Sequence, residues 1–300
     1  MKNKTLIILN PAAGRGRARK LTRDIRHSFS ALGITDLRET REAGDEESLA
    51  RQAIERGIRT IVAVGGDGTC ARVANAILKS ERECALAVFP CGTGNDFAKT
   101  LGLIDYKPEK LAALVVAGSA TRIDVGRIDD EYFINSCGFG FAASVLKATK
   151  EVRFLKGDAI YMYSALRQLF TYRGVEVSPN GVSGVKRGRM LMVTVSNGRS
   201  LGGAFKIAPH ASVLDGRLEA CFFGDSNVVE RVKLFVGAMR GTHVGMPSVS
   251  AASVQQLTLT FPSSPLMEMD GELRVAQSRT VELQCVPGAL SVVAAPGALV

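Results

Sequence analysis

Three short loops in the first hundred residues combine glycine with polar side chains, and each follows a run of apolar residues. They span Asn10 to Gly16 (NPAAGRG), Gly65 to Thr69 (GGDGT) and Pro90 to Asp96 (PCGTGND). Glycine carries no side chain, so the backbone of such a loop can approach a phosphate closely, and the N–H groups of a following helix then face the anion. The loops therefore predict a site for a phosphorylated ligand.

Charged side chains in and beside these loops refine that prediction. Asp67 lies inside the second loop, where a carboxylate would repel a phosphate unless a cation lay between them, so it suggests magnesium. Arg15, Arg17, Arg19 and Lys20 occupy the end of the first loop and the start of the helix that it opens. Basic residues at a helix start oppose the helix dipole, and a polyphosphate in the same space would explain them.

Structural explanations for the same residues stay open at this point. The second loop could be a tight turn without a ligand, and the basic residues after the first loop could form a solvated face. In the third loop Thr93, Asn95 and Asp96 offer a hydroxyl, an amide and a carboxylate, but Asp96 could equally be a helix N-cap. Three such loops on one rim favour ligand binding, because coincidence would have to occur three times.

The elements that hold the loops follow from alternating apolar runs and helical spacing. Strands are predicted at Thr5 to Leu9, Thr60 to Val64 and Ala85 to Phe89. Apolar residues then recur at helical spacing: Leu21, Ile25, Phe29 and Leu32; Val73, Ala74, Ile77 and Leu78; Phe97, Ala98 and Leu101. This order predicts a parallel sheet covered by helices on both faces, with all three loops at the carboxyl edge, where ligands bind.

After about residue 120 the pattern changes to period-two runs, which predict a second, mostly antiparallel β domain. The runs are Arg122 to Ile128, Arg189 to Ser196, Arg217 to Phe223, Leu257 to Phe261 and Val281 to Val286. Helices are predicted around Tyr161 to Tyr172 and along a stripe of Val228, Val232, Phe235 and Met239. Core packing is the preferred interpretation of both helices. The apolar segment from Val281 to Val300 is interrupted by Pro and Gly and is interpreted as closing strands rather than a membrane span.

The composition limits the class of protein. The 300 residues are 46% hydrophobic and 22% charged, which suits a folded chain with a large core and excludes disordered, collagen-like and disulfide-scaffold proteins. Lys and Arg number 38 against 29 Asp and Glu, and this net charge of +9 suits a phosphate-bearing partner, whether a nucleotide, a nucleic acid or an anionic membrane surface.

The cysteines, the histidines and the N-terminus predict a location for the chain. The six cysteines show no CxxC spacing and the three histidines lie far apart in the sequence, so we expect no zinc site and scattered buried thiols. Leu6 to Leu9 is shorter than the roughly 7–15 apolar residues of a signal-peptide core. Together these features predict a cytoplasmic protein.

Familiar catalytic motifs are missing, with one exception. The sequence has no GxxxxGK[ST] phosphate loop and no HRD or DFG element of protein kinases, and the first loop has Arg19 where the dinucleotide fingerprint needs its third glycine. The stretch from Gly198 to Gly202 matches the GxSxG of serine hydrolases, with Ser200 as the nucleophile and Asp225 and His243 following in order. A serine esterase therefore stays an alternative, although Gly202-Gly203 and Pro209 disfavour the helix that the motif requires.

The ordered set of motifs resembles the soluble bacterial diacylglycerol-kinase-type lipid kinases, nearly from end to end. The matching positions are Asn10-Pro11-x-x-Gly14, Gly65 to Thr69, Pro90-x-Gly92-Thr93-x-Asn95-Asp96-Phe97-Ala98, Ile123-Asp124-Val125-Gly126, Ser196-Asn197-Gly198, Gly202-Gly203, Ala208-Pro209, Asp215-Gly216 and Asp270-Gly271-Glu272. GGDGT by itself also occurs in NAD kinases and phosphofructokinases.

The resemblance implies a NAD-kinase-like or diacylglycerol-kinase-like fold with two domains and an active site in the cleft between them. Residues 1–122 would bind ATP, residues 123–286 would form a β-sandwich for the lipid, and residues 287–300 could return to the first domain. The implied reaction transfers the γ-phosphate of ATP to a lipid hydroxyl such as that of diacylglycerol, with Mg2+. A sphingoid base, phosphatidylglycerol or NAD are alternative acceptors. The implied partner is lipid at the inner membrane surface rather than nucleic acid, and a homodimer stays open.

The resemblance also assigns residues. Glu272 matches the general base, and Asp67, Asp96 and Asp124 match acidic residues tied to magnesium and active-site organisation. Ser212, Asp215 and Arg217 correspond to a structural cation site. The nucleotide-binding set is Asn10, Pro11, Ala12, Ala13, Gly14, Arg15, Lys20, Thr40, Gly65, Gly66, Asp67, Gly68, Thr69, Cys70, Ala71, Arg72, Gly92, Thr93 and Asn95.

The chain departs from the family pattern at three places. Many relatives read Asn-Glu at the positions of Ala71-Arg72, so a polar group and an acid are replaced. Ala13 replaces a usual Ser in the first loop, and Leu214 replaces the first Asp of a common Asp-Asp-Gly.

Overall fold

The computed structural model describes residues 4–149, 151–152 and 158–299, without the side chains of residues 158 and 161. The chain divides into two compact units. The first consists of the chain up to Ile123 together with the segment that begins at Gly288, and the second is Asp124–Pro287.

Four parallel strands form the centre of the first unit. Its elements are β1 (Thr5–Leu9), α1 (Ala13–Ser30), β2 (Leu37–Glu39), α2 (Asp45–Glu55), β3 (Thr60–Gly65), α3 (Asp67–Leu78), β4 (Ala85–Pro90), α4 (Asp96–Thr100) and α5 (Pro108–Ala117). The strand order is β4-β3-β1-β2. Every residue of β1 is buried, as expected for a strand covered on both faces.

The strand order determines the layers. The chain moves from β1 to β2 in one direction and then crosses back past β1 to β3 and on to β4. Because parallel crossovers are right-handed, α1 lies on one face of the sheet, and α2 and α3 lie on the other. The observed helix pairs agree, since α1 packs against α5 and α2 against α3. The direction reverses between β1 and β3, so the loops after these two strands diverge to opposite faces and leave a crevice between them.

Helix α1 departs from the predicted pattern at both ends. Gly14, Arg15 and Gly16 have φ of 56°, 58° and 86°, so the regular helix begins only after Gly16. At the other end the helix stops at Ser30, and Leu32 lies beyond it with 42% of its surface exposed. The prediction that Leu32 continues the helix of Leu21, Ile25 and Phe29 is wrong, because Gly33 with φ of 78° follows in a turn that the apolar spacing did not reveal.

The second unit is an antiparallel β structure with helices. Its elements are β5 (Thr121–Ile128, beginning in the first unit), β6 (Glu131–Phe133), β7 (Ser136–Gly140), α6 (Phe141–Thr149), α7 (Asp158–Thr171), β8 (Val175–Asn180), β9 (Gly188–Ser196), β10 (Leu218–Gly224), α8 (Val228–Arg240), β11 (Val249–Val254), β12 (Gln256–Thr260), β13 (Leu266–Met269), β14 (Glu272–Val275) and β15 (Thr280–Val292). The strand order is β14-β13-β7-β9-β8-β12-β15, and β9 also pairs with β10, which pairs with β11.

Alternating side chains fill the core of this unit. Along β15, Val281, Leu283 and Cys285 are buried and join Leu257 and Leu259 of β12 in one cluster. The predicted fold class, a parallel α/β unit followed by an antiparallel β unit, is confirmed. All six cysteines are buried and outside disulfides, as expected for scattered thiols.

Strand β15 passes from the second unit into the first. Its first part pairs antiparallel with β12. Farther along, Ser291 and Val292 pair in parallel with Ala85 and Leu86, which adds a fifth strand beside β4.

The core prediction for α8 is wrong for three of its four residues. Val228, Val232 and Met239 are exposed, and only Phe235 packs inward, with its ring centroid 5.0 Å from that of Phe205. The helix is apolar around most of its circumference and buries a different face, formed by Arg231, Leu234, Gly237 and Ala238. Spacing alone could not tell which of its two stripes would face the sheet.

Helix α7, like α8, leaves large apolar side chains exposed. Ala165 and Leu169 are buried, whereas Tyr163, Leu166 and Phe170 are exposed, Phe170 by 62%. None of the helices in the described part of the chain combines the length and the hydropathy needed to span a bilayer.

Candidate active site

The first loop begins at Asn10, directly after β1. The side chain of Asn10 uses all of its polar groups within the protein. Its Oδ1 accepts the Ala12 N–H at 3.0 Å, and its Nδ2 donates to Glu46 Oε1 at 3.0 Å and to Thr69 Oγ1 at 3.2 Å. Asn10 therefore fixes the shape of the first loop and connects it to the second loop, across the crevice between β1 and β3.

Gly14 brings the first loop against the end of β4. Its φ is +56°, and a Cβ at this position would lie 2.0 Å from the carbonyl oxygen of Cys91. Only glycine permits both the conformation and the contact. The basic side chains that follow, at Arg15, Arg17 and Lys20, are exposed at this end of the unit.

The second and third loops touch through glycine backbones. A Cβ on Gly92 would lie 2.4 Å from the Cα of Gly66, and one on Gly65 would lie 2.4 Å from the Cβ of Thr69. Asn95, with φ of 51°, closes the third loop, because its Oδ1 accepts the Gly92 N–H at 2.8 Å and its Nδ2 donates to the Gly92 carbonyl at 2.9 Å. The three loops predicted to share one rim thus meet there.

Two carboxylates stand where the second and third loops enter their helices. Asp67 begins α3 and accepts the Phe97 N–H at Oδ1 (3.3 Å), and Asp96 begins α4 and pairs with Lys99 Nζ at 2.8 Å. Burial and then the negative charge of Asp96 raise the pKa of Asp67 to about 6. Two neighbouring carboxylates of the same charge suit a divalent cation, since Mg2+ is commonly held by one or two carboxylates plus phosphate oxygens.

Glu46, which the sequence analysis missed, lies at the centre of the polar contacts in this unit. It stands in the first turn of α2 and is 1% exposed. Oε1 accepts from Asn10 Nδ2 at 3.0 Å and from Thr69 Oγ1 at 3.3 Å. Oε2 accepts from the Gly44 N–H at 3.2 Å and from Arg72 Nη1 at 3.2 Å. The available signal was its spacing, because Glu46 occupies the same stripe as the buried Ala50, Ala53 and Ile54.

The remaining predicted nucleotide residues of the first unit lie around the same rim. Thr40 follows β2, is buried, and its N–H donates to the Leu9 carbonyl at 2.9 Å. Cys70 and Ala71 are buried in the first turns of α3, so their side chains belong to the core, and the Cys70 N–H donates to the Gly66 carbonyl at 3.1 Å.

In the second unit, Glu272 begins β14 at a tight hairpin. Asp270 and Gly271 form the two-residue turn with φ of 48° and 83°, the left-handed pair that an Asp-Gly hairpin turn requires. The side chain of Glu272 is 25% exposed and pairs with Arg274 at 3.4 Å, and Arg274 also pairs with Glu131 at 3.2 Å. The Glu272 carboxylate is thus partly accessible, and the Arg274 guanidinium orients it.

The hairpin turn is fixed by two further carboxylates. Asp270 accepts the backbone N–H groups of Ile134, Asn135 and Ser136 at 2.8–3.0 Å, and Glu268 Oε1 accepts the Gly271 N–H at 2.7 Å. Asp270 in the Asp-Gly-Glu motif is therefore a structural residue, which holds the turn against the start of β7.

Asp124 lies with the residues of the predicted structural cation site. Its Oδ2 accepts the Gly216 N–H at 2.6 Å, inside the loop that carries Ser212, Asp215 and Arg217. The Asp215 carboxylate accepts the Arg217 N–H at 3.0 Å. Burial, together with the charges of Asp124 and Asp215, raises the pKa of the Cys285 thiol to about 12. Both carboxylates therefore lie near the same thiol. The described residues contain no group of three or more His, Cys, Asp or Glu side chains placed to hold a metal ion, so a cation here would need backbone carbonyls.

The serine hydrolase alternative is not supported by the geometry around Ser200. No helix follows the Gly198 to Gly202 stretch, which lies in turns, and the next regular element is β10. His243 is fully buried, with its Nε2 at 3.0 Å from the Ile207 carbonyl. The nucleophile elbow therefore lacks its helix, and the predicted partner His243 is not accessible.

Comparison with known proteins agrees with the two units. Residues 4–128 match the diacylglycerol kinase catalytic domain, and residues 135–294 match the YegS C-terminal NAD kinase beta sandwich-like domain. The chain belongs to the family of diacylglycerol-kinase-like lipid kinases.

Individual relatives cover most of the chain. The protein named "Probable lipid kinase YegS-like" from Pseudomonas putida is 32% identical over 86% of this chain and 84% of its own. The "Diacylglycerol kinase" of Bacillus subtilis is 29% identical over 89% and 88%. The crystal structure of a diacylglycerol kinase from Bacillus anthracis has the same fold, with a TM-score of 0.73 at 20% identity over 99% of this chain and 98% of its own.

Proposed function

We propose that this chain transfers the γ-phosphate of ATP to the hydroxyl of a lipid such as diacylglycerol. The observation that carries the proposal is the meeting of three glycine loops beside Asp67 and Asp96 at the carboxyl edge of a parallel sheet, in a chain of the lipid kinase family.

The nucleotide would bind at the crevice between the loops that follow β1 and β3. Backbone N–H groups of the first loop and of the start of α3 would face the phosphates, because glycine leaves them open. Arg15 and Lys20 would neutralise phosphate charge from the exposed side. The contact between Gly66 and Gly92 supports this assignment, since it leaves no side chain between the second and third loops.

A magnesium ion would be held by Asp67 and Asp96 together with phosphate oxygens. The residues fit this ion, because burial and the neighbouring charge of Asp96 make the ionised form of Asp67 costly, and a divalent cation would relieve that cost. When bound, the ion would neutralise charge that develops on the transferring phosphoryl group. The loop of Ser212, Asp215 and Arg217, next to Asp124, would hold a second, structural cation through carbonyl and carboxylate oxygens.

Glu272 would act as the general base. The lipid oxygen forms a bond to the γ-phosphorus, the bond from that phosphorus to the bridging oxygen of ADP breaks, and the hydroxyl proton passes to a carboxylate oxygen of Glu272. The partly exposed position of Glu272 at the start of a paired hairpin strand supports this role, and Arg274 would keep its carboxylate oriented.

The apolar part of the substrate has a candidate place in the second unit. A cavity of about 50 Å3 is lined by side chains of α6, α7, α8, β9 and β10, among them Ala142, Leu169, Phe223 and Leu234. Arg231 is the charged residue in its wall, and its guanidinium donates to the carbonyls of Leu169 and Tyr172. The cavity would accept the end of an acyl chain.

A lipid substrate must be reached at a membrane, and α8 offers a surface for that contact. Its exposed apolar side chains are Val228, Val229, Val232, Val236 and Met239, and Val229 is 65% exposed. Lys233 and Arg240 are exposed on the same helix, against one exposed acid, Glu230. An apolar helix face with basic residues fits an anionic lipid surface. We assign α8 as a peripheral membrane contact at the inner membrane surface.

A phosphorylation screen tests the function. The full chain is incubated with labelled ATP and Mg2+ and with diacylglycerol, a sphingoid base, phosphatidylglycerol, NAD or glycerol. Labelling of diacylglycerol is expected. Labelling of NAD or glycerol alone would contradict a lipid acceptor, and no labelling of any alcohol would contradict a kinase. An ester substrate with wild-type chain and Ser200→Ala tests the hydrolase in the same series.

A further inference from the structure

The buried carboxylate of Glu46 forms an ion pair with the guanidinium of Arg72, beside the first and second loops. The carboxylate is 1% exposed and the guanidinium lies 3.2 Å from it. The pair joins the first turn of α2 to the first turns of α3, the helix that the second loop opens. A carboxylate this deep in the protein is costly to retain without a partner, so both residues have to be considered together.

Glu46 also completes a closed set of hydrogen bonds. Asn10 Nδ2, Thr69 Oγ1 and Glu46 Oε1 lie within 3.3 Å of one another. Thr69 donates its only proton to Glu46 and accepts from Asn10, so the rotation of its hydroxyl and the orientation of the Asn10 amide are both fixed. Asn10 and Thr69 belong to the loops that follow β1 and β3, the two strands that flank the crevice.

Neither carboxylate oxygen is left for a ligand. Oε1 serves Asn10 and Thr69, and Oε2 serves Gly44 and Arg72. Glu46 therefore acts through other residues rather than on the substrate.

We infer that Glu46 is a positioning residue for nucleotide binding: it sets the geometry of the first and second loops through Asn10 and Thr69, and Arg72 neutralises it. The inference rests on the proposed function, since it assigns these loops to ATP. Loss of Glu46 should weaken ATP binding more than it slows phosphoryl transfer, because Asp67 and Glu272 remain in place.

The test measures ATP affinity by calorimetry and KM and kcat by turnover, in full-length variants. Glu46→Ala should raise the Kd and KM for ATP about tenfold, the usual scale for losing hydrogen bonds to a charged group, with kcat changed by less than about threefold. Glu46→Asp should recover part of the affinity. Glu47→Ala, the next residue on α2, is the matched control and should bind ATP like the wild type, because the Glu47 side chain is 33% exposed and pairs with Arg51 on the helix surface.

A charge-neutral pair separates positioning from simple destabilisation. Glu46→Gln removes the carboxylate that faces Arg72, and Arg72→Gln removes the guanidinium that faces the buried Glu46 carboxylate, whereas the double variant removes both charges. The double variant should melt at a higher temperature than either single variant, and it should still bind ATP more weakly than the wild type.

Each outcome bears on a different claim. If the wild type binds no ATP, the proposed function fails and this inference fails with it. If the wild type binds ATP and a folded Glu46→Ala or Glu46→Gln variant has the same Kd and KM, the inference alone is overturned. A loss confined to melting temperature would equally reduce Glu46 to a structural residue.

Discussion

Burial of Asp67 at the start of α3 and the negative charge of Asp96 at the start of α4 together raise the pKa of Asp67 to about 6. The two side chains come from different loops, and only the parallel sheet brings them together. A proton and the proposed magnesium ion would therefore compete for Asp67 near pH 6.

That competition predicts a pH dependence of nucleotide binding. Below pH 6 Asp67 holds a proton that magnesium has to displace, so the affinity for ATP with Mg2+ should rise as the pH passes upward through about 6 and then level off. Calorimetry between pH 5 and 8 measures it. Asp67→Asn should bind weakly at every pH, with the step removed.

Asp45→Asn is the matched control for this measurement. Backbone N–H groups of Arg41 and Glu42 hold the pKa of Asp45 below its usual value, so Asp45 stays ionised across this range. Its variant should keep the step near pH 6. A wild-type affinity that is flat from pH 5 to 8 would remove Asp67 from the metal site.

The general-base assignment predicts a selective loss of turnover. Glu272→Gln keeps the size of the side chain but cannot take a proton, so kcat should fall by roughly 10²–10⁴-fold while the Kd for ATP stays unchanged. Glu131→Gln removes the other ion pair of Arg274 and should keep most of the turnover. Near-normal kcat in Glu272→Gln would show that another group accepts the proton.

Alanine variants of Gly14 and Gly16 distinguish the effect of backbone strain from that of a steric clash. Both Gly14→Ala and Gly16→Ala force a side chain into left-handed backbone, at a cost of about 1–2 kcal/mol. Only Gly14→Ala also meets the Cys91 carbonyl, whereas no atom lies within 4 Å of the new Cβ at Gly16. Gly14→Ala should therefore lower both thermal stability and ATP affinity more than Gly16→Ala. Equal losses would mean that the contact with Cys91 does not hold the loop.

The exposed face of α8 predicts binding to anionic vesicles. A Val232→Asp/Val236→Asp variant should bind vesicles of phosphatidylglycerol and phosphatidylcholine at least about tenfold more weakly, because it loses apolar burial and adds negative charge. Val116→Asp on α5 carries the same change at another exposed helical valine and should bind normally. Sedimentation with vesicles measures both. Equal binding by the two variants would exclude α8 as the membrane contact.

The rim of three loops could be predicted from the sequence because each loop stands at a change of period, from an apolar strand to a helix. The carboxyl ends of parallel strands share one edge, so the spacing of Asn10, Gly65 and Gly92 was sufficient to place them together. The identity of the helical face toward the core was not predictable for α8. Its valines form one apolar stripe and Leu234 and Ala238 form another, and only the packing in the folded protein decides which stripe is exposed.

Glu46 was missed for a different reason. It belongs to no motif, and an acidic start of a helix is common because it complements the helix dipole. Asp45, Glu46 and Glu47 look equivalent in the sequence, yet only Glu46 falls on the stripe of Ala50 and Ala53. A carboxylate in a buried stripe signals a paired charge, and its partner Arg72 became visible only once α2 and α3 were seen side by side.

The order in which the chain is made has a consequence for the first unit. Its sheet lacks the strand beside Ala85 and Leu86 until Ser291 and Val292 have been synthesised. A fragment that stops near residue 123 would leave the hydrogen-bonding groups of that edge open to other molecules and would tend to aggregate. On the ribosome, the complete sheet of the first unit can form only after the entire second unit has been translated.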